Sequence, residues 1–477
     1  MNNKMKREKK ERKKMIHSIK EKIFIFFTEG HKRTILTKKN IAASFAIKGI
    51  TILISLILVP LTISYVNSER NGIWLTMYSM VFWLNLFDIG FGNGMKNKLA
   101  EAKAMGNMEL ARKYISSTYA IMSIICILIF ILFCILNPLI NWKLVFMKLN
   151  ISSAYTGEVF GLIWILIISF CFTFVFNLLK SVATADQKPA IGSFLDMLGQ
   201  LLTLIGIFVL SKTVAPSLIS LGLITGFVPV LVLVVSSIVL FNTQYKNWRP
   251  NVKSIDFKLA KSMMNLGVKF FILGFASFMV TQTIQILIQG MTNPVEVTNF
   301  NTAFRLFSLV LNVTLIIVLP YWSSFTDAYT QNDFAWMQRS FSGLQKLFLF
   351  SSISQLVVLL FSPVIYHVWI NYWMKDSSNI LNISFLMSFA VCLYTVAICW
   401  INICFNPING IGKVKLQMYS SIAEMLLIIP FALWMGYRWK APGIIFAPVI
   451  VYTPRMIWAP IQLNKLVKNK AIGIWNK

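Results

Sequence analysis

IAASFAIKGITILISLILVPLTISY, residues 41–65, opens a series of twelve apolar runs, and LGVKFFILGFASFMVTQTIQILIQG, residues 266–290, stands 225 residues further on. That one offset lays runs at 41–65, 72–95, 115–137, 158–180, 190–211 and 216–241 over 266–290, 297–320, 340–362, 383–405, 415–436 and 441–466. Hydropathy taken independently puts the later runs at 263–289, 296–320, 343–366, 380–405, 415–437 and 441–463. The two sets agree within the roughly two to four residues to which such boundaries are defined. The offset also pairs Ser117 with Ser342, Pro138 with Pro363, Asn177 with Asn402, Lys188 with Lys413, and Pro229 with Pro454. One such match is chance, but registry without a gap over six helices is not. A six-helix unit repeated in the same orientation gives two facing lobes, a plan found among transporters.

Of the 477 residues 57% are hydrophobic and 13% charged, with mean hydropathy +0.68. Each run is long enough to cross about 30 Å of hydrocarbon as a helix. Helices are required because each backbone group must find its partner inside the segment. The expected fold is an all-α membrane protein of 12 transmembrane helices. It has two six-helix lobes related by a pseudo-two-fold along the membrane normal. The lobes span 41–241 and 263–463, joined by a linker at 242–262 that serves as tether or hinge, with tails at 1–40 and 464–477.

The net charge of +28 is explained by topology. The termini and even-numbered loops carry 31 Lys/Arg against 7 in the odd-numbered loops, which places both termini in the cytoplasm. An inner-type membrane bounding the cytoplasm is the matching location. Nucleic acid is excluded as a partner, because no aromatic-lined basic module lies outside the membrane. The six cysteines all fall inside apolar runs without a C-x-x-C spacing, so they read as small core residues. His17, His31 and His367 are too scattered for a zinc site. No metal or cofactor is expected.

Residues 1–40 hold 14 Lys/Arg against four Glu. Ile16, Ile19, Ile23 and Phe27 recur there at helical spacing, which fits either an interfacial amphipathic helix or a solvated tail. Helix 2 ends in Asp88-Ile-Gly-Phe-Gly-Asn-Gly94, whose glycines match no nucleotide-loop spacing. The following loop, 96–114, is helix-prone with a break at Gly106-Asn107.

No catalytic constellation stands out, and the external loops leave no room for an enzymatic domain; the chain is not read as an enzyme. The informative residues are charges inside apolar runs, each costing about 2.5–3.5 kcal/mol at mid-membrane and so normally facing a wet interior. Lys48 is on helix 1, Asp88 on helix 2, Lys269 on helix 7 and Arg305 on helix 8, two repeat-equivalent pairs. Three cations to one anion describe a cavity for an anionic group, with Arg305 offering the bidentate geometry that suits phosphate. Lys48 and Lys269 also lie near enough to the helix ends to snorkel to headgroups. Asp88 is either the counter-ion of Lys48 or a proton or sodium site. Gln282, Gln285 and Asn301 are candidate polar lining. Asp196 lies off the pathway, and Glu424 with Arg455 fits a structural pair inside the second lobe.

ERNGIWLTMYSMVFWLNLFDIGFGNGMKNKLAEAKAMGNMELARKYISS (Glu69–Ser117) and FNPINGIGKVKLQMYSSIAEMLLIIPFALW (Phe405–Trp434) resemble the bacterial polysaccharide flippases of the O-antigen, Wzx type. These belong to the multidrug/oligosaccharidyl-lipid/polysaccharide exporter superfamily. The resemblance implies a V-shaped MATE-like bundle that moves an undecaprenyl-diphosphate-linked oligosaccharide, the polysaccharide repeat unit, between leaflets. It implies a cationic cavity lined by helices 1, 2, 7 and 8, the set that carries Lys48, Lys269 and Arg305, and a D-x-G motif matched by Asp88. It also implies membrane lipids, a proton or sodium gradient, and polysaccharide polymerase and chain-length machinery as partners. A cation or drug antiporter of the same fold would want acidic groups in the cavity. A membrane-embedded polymerase or ligase would want a large external loop with Arg or His, which 138–157 lacks.

Overall fold

A computed structural model describes residues 32–84, 91–186, 188–259, 275, 279–370 and 381–476. In the first half, α1 (Lys32–Val66), α2 (Ser68–Phe82), α3 (Phe91–Ala104), α4 (Met108–Leu136), α5 (Trp142–Lys148), α6 (Thr156–Phe176), α7 (Leu178–Ala185), α8 (Pro189–Thr213) and α9 (Leu218–Asn242) follow one another. In the second half come a helical stretch at 279–291 (α10), α11 (Pro294–Val318), α12 (Tyr321–Thr330), α13 (Phe334–Trp369), α14 (Phe385–Ile411) and α15 (Lys415–Val467). Among the described residues, nine helices are long and apolar enough to cross a membrane. The protein is a multi-pass membrane protein.

The run boundaries differ from the helices where side chains cap or break them. α1 is already helical at Lys32, ahead of its apolar run, while the amphipathic pattern at 16–27 lies outside the described residues. Of the helix expected over 72–95, α2 ends at Phe82 and α3 covers Phe91–Ala104, while 85–90 lie outside the described residues. Gly106 takes φ 72° and the Asn107 side chain accepts from the Leu110 N–H, so the expected break caps α4. The last two apolar runs join into α15, with the reversal made at Lys440, the one residue inside it with non-helical dihedrals (φ 54°). The two legs approach closely because Gly443 lacks a Cβ, which would stand 2.2 Å from the Met435 carbonyl oxygen.

Tyr65 Oη donates to the Ala215 carbonyl at one end of the bundle (3.1 Å), and Trp369 Nε1 donates to the Leu56 carbonyl on the way there (2.8 Å). The start of α13 lies at the other end, where Gln338 Nε2 donates to the Val467 carbonyl (3.1 Å). The end where α1 starts and α15 finishes is called proximal below, and its opposite distal.

The described part of the inter-half linker is not a loose strand. Ser116 Oγ accepts from the Asn251 N–H (3.0 Å), Ser117 Oγ accepts from the Asp256 N–H (2.8 Å), and Arg112 Nε donates to the Asn247 carbonyl (3.1 Å). Tyr245 stacks on Trp248 at 5.5 Å. Up to about residue 256 the linker therefore belongs to the first half, packed on the start of α4.

Candidate functional site

The two halves meet differently at the two ends. Distally α2 runs against the start of α11: a Cβ on Gly72 would lie 1.7 Å from the Pro294 carbonyl oxygen, so only glycine permits this approach. Asn71 Nδ2 donates to Thr298 Oγ1 (3.2 Å), whose hydroxyl donates to the Ser68 carbonyl (2.7 Å). From the turn after α5, Asn150 Nδ2 reaches the carbonyls of Gln289, Gly290 and Thr292 at 2.9–3.3 Å. Ile63, Ile370 and Leu381 pack as a buried apolar plug beside them. Such hydrogen bonds contribute about 0.5–1.5 kcal/mol each, enough to seal the end and weak enough to part.

Proximally a cavity of about 480 Å³ separates the halves. From the first half it is lined by Lys48, Thr51 and Ser55 of α1 and Gln200 of α8. From the second it is lined by Arg305, Ser308 and Asn312 of α11 and Asn402 and Asn406 of α14, with Ile52, Leu309, Leu315, Ile316 and Leu319 as apolar lining. Arg305 stands near the middle of the 25-residue α11 and Leu319 just past its proximal end. The cavity thus runs from mid-bundle to the proximal end. Its volume falls within the roughly 300–1,000 Å³ typical of ligand pockets.

Lys48 and Arg305 therefore line one cavity, and both are exposed within it. Among the described residues neither side chain has an ion-pair partner, and no Asp or Glu lines the cavity. Lys269 and Asp88 lie outside the described residues. Gln285 and Asn301 turn to each other, Asn301 Nδ2 donating to Gln285 Oε1 (3.4 Å) and to the Val297 carbonyl (2.9 Å). Neither they nor the half-buried Gln282 line this cavity. Among the described residues, two other pairs of intramembrane charges meet within one half. Arg455 meets Glu424 at 2.5 Å, and Lys180 meets Asp196.

Gln200, Asn312, Asn402 and Asn406 were not among the residues singled out from sequence as lining. The available signal was spacing: Asn402, Asn406 and Asn409 recur at i, i+4 and i+7 on α14, one helical face.

The backbone superposes on an inward-facing conformation of a multidrug resistance MATE family transporter of the MOP superfamily. The TM-score is 0.73 at 13% identity over 90% of this chain and 100% of the other. Lipid II flippase MurJ in an inward closed conformation gives 0.70 at 15% identity over 90% of each chain. MATE in the straight conformation gives 0.60 at 13% identity over 93% and 99%. At these identities the likeness establishes a class: a membrane protein of the MATE-like fold. The sequence pattern of the polysaccharide biosynthesis proteins matches residues 37–326, more than half of the chain, and the chain belongs to that family. No curated protein matches the sequence.

Proposed function

We propose that this protein is a flippase that carries an undecaprenyl-diphosphate-linked oligosaccharide across the bacterial cytoplasmic membrane by alternating access. The observation that carries this reading is the pair of unneutralised cations, Lys48 and Arg305, in a membrane-embedded cavity with no lining carboxylate among the described residues. A diphosphate is the group such a site attracts, and Arg305 can hold it through two parallel hydrogen bonds. Headgroup transfer is otherwise slow because sugars and phosphates resist entering an apolar phase. Family membership and the likeness to a lipid II flippase support a lipid-linked substrate. The positive-inside bias makes the proximal end cytoplasmic, so the cavity loads from the cytoplasmic side and the distal seal opens to release. Lys269 is assigned to the same diphosphate site and Asp88 to a counter-ion or coupling-ion role. A proton or sodium gradient drives the cycle, and polysaccharide polymerase and chain-length machinery receive the product. A cationic drug would meet like charge in this cavity, which disfavours antiport of such compounds.

The cycle is tested by a lock. Asn71→Cys with Thr298→Cys, in a background lacking the six native cysteines, places two thiols where side chains now touch across the distal seal. Oxidation should stop complementation of a flippase-deficient strain and let the lipid-linked intermediate accumulate, and reduction should restore activity. Undiminished transport with the cross-link formed would contradict alternating access at this seam.

A further inference from the structure

Five of the seven neutral polar side chains that line the cavity share one feature. Asn402 Nδ2 donates to the Ile398 carbonyl and Asn406 Nδ2 to the Asn402 carbonyl, both at 2.9 Å. A backbone carbonyl can only accept, so in each case the NH₂ must face the helix and the amide oxygen points away from that bond. Thr51 Oγ1 likewise donates to the Ile47 carbonyl (2.8 Å), Ser55 Oγ to the Ile52 carbonyl (2.7 Å) and Ser308 Oγ to the Arg305 carbonyl (2.8 Å). Five lining side chains thus have a donor committed to their own helix and acceptor lone pairs left over.

Such an acceptor surface does not favour phosphate, whose oxygens are acceptors too, the one N–H left on each asparagine NH₂ aside. Nor does it suit a metal or drug cation, because Lys48 and Arg305 share the cavity and would repel it. What remains is a neutral ligand rich in O–H or N–H donors. Resting on the diphosphate reading above, we infer that Asn402 and Asn406 form a sugar subsite, their amide oxygens accepting from the hydroxyl or acetamido groups of the first sugar. The cavity then offers two kinds of group, the Lys48 and Arg305 donors for the diphosphate and the outward amide oxygens of α14 for the sugar, with the Thr51, Ser55 and Ser308 hydroxyls of α1 and α11 as further acceptors. The buried Arg455 packs over Phe405 at 5.0 Å, next in sequence to Asn406, and so positions α14 from behind.

The test uses the full-length protein in detergent and two probes, a short-chain polyprenyl diphosphate and the same lipid diphosphate bearing one N-acetylhexosamine. The wild type should bind the sugar-bearing probe about ten-fold more tightly than the bare one, a difference of about 1.4 kcal/mol. Asn402→Leu with Asn406→Leu should abolish that increment, leaving both probes bound at the bare-probe affinity. Asn406→Leu alone, a milder change for packing, should remove part of it. The subsite is overturned if the wild type binds both probes equally, if the asparagine variants keep the full increment, or if every variant loses both probes alike. If the wild type binds neither probe, the diphosphate reading itself fails and the subsite falls with it.

Discussion

Two arginines sit in apolar helices of the second half and have opposite surroundings. Arg455 is 6% exposed, meets the Glu424 carboxylate at 2.5 Å and Ser421 Oγ at 2.6 Å, and lies over the rings of Phe405 and Tyr452. Arg305 has no ion-pair partner among the described residues and opens into the cavity between the halves. A charge inside a membrane protein is kept either by a partner or by water. The paired one holds helices together, and the watered one is free for a ligand. The same division separates Lys180, paired with Asp196, from Lys48 in the cavity.

The comparison is broken most forcefully at the paired arginine. Glu424→Ala leaves Arg455 buried without its counter-charge and should destabilise the protein by about 3–5 kcal/mol. The midpoint of denaturation in detergent should fall accordingly, with diphosphate affinity unchanged in the folded fraction. Replacing both partners, Glu424→Gln with Arg455→Met, should recover most of the loss, because the desolvation cost disappears with the pair. An unaltered midpoint for Glu424→Ala would mean the pair is not a structural tie.

Lys48 should show the converse pattern. Lys48→Ala should weaken binding of a short-chain polyprenyl diphosphate about ten-fold, the lower range for a hydrogen bond to a charged group, with no change in the denaturation midpoint. Lys48→Arg should retain most of the affinity. Equal affinity for wild type and Lys48→Ala, measured at low salt, would return Lys48 to the lipid headgroups.

A smaller effect belongs to the proximal surface, where Asp186 meets Lys103 at 2.5 Å and Lys188 at 2.8 Å. Burial by itself would raise the Asp186 carboxyl, but the two ammonium groups outweigh it and hold the carboxyl below its ordinary value. Since the folded value is depressed, the stabilisation is present at neutral pH, down to the ordinary carboxylate range of about 3.9, and is lost as pH falls through the folded value. Asp186→Asn should cost about 1 kcal/mol or less at pH 7, and melting at pH 7 and pH 3 should differ less in the variant than in the wild type.

Much of this was legible in the chain. The apolar runs foretold the helices, and the cost of a mid-membrane charge singled out Arg305, which lines the cavity. The orientation of Lys48 was not legible, because snorkelling and cavity lining differ only in rotation about α1, which tertiary packing decides. Gln285 and Asn301 read as lining because polar groups in apolar helices need partners, and they found them in each other. Asn402 and Asn406 went unsingled because a neutral amide can satisfy itself on its own helix, leaving its outward oxygen without a sequence signature. The corner at Lys440 stands just before Pro442-Gly443, a turn signal, and close packing of the two legs over Gly443 accompanies it.

The most direct measurement is translocation of a polyprenyl-diphosphate-linked oligosaccharide in proteoliposomes, wild type against Arg305→Ala at matched protein density. Loss of two charge-assisted hydrogen bonds, each about 1.5–3 kcal/mol, predicts a rate at least about 100-fold lower with the denaturation midpoint unmoved. A wild-type rate from Arg305→Ala would contradict a cationic cavity as the carrier of the headgroup.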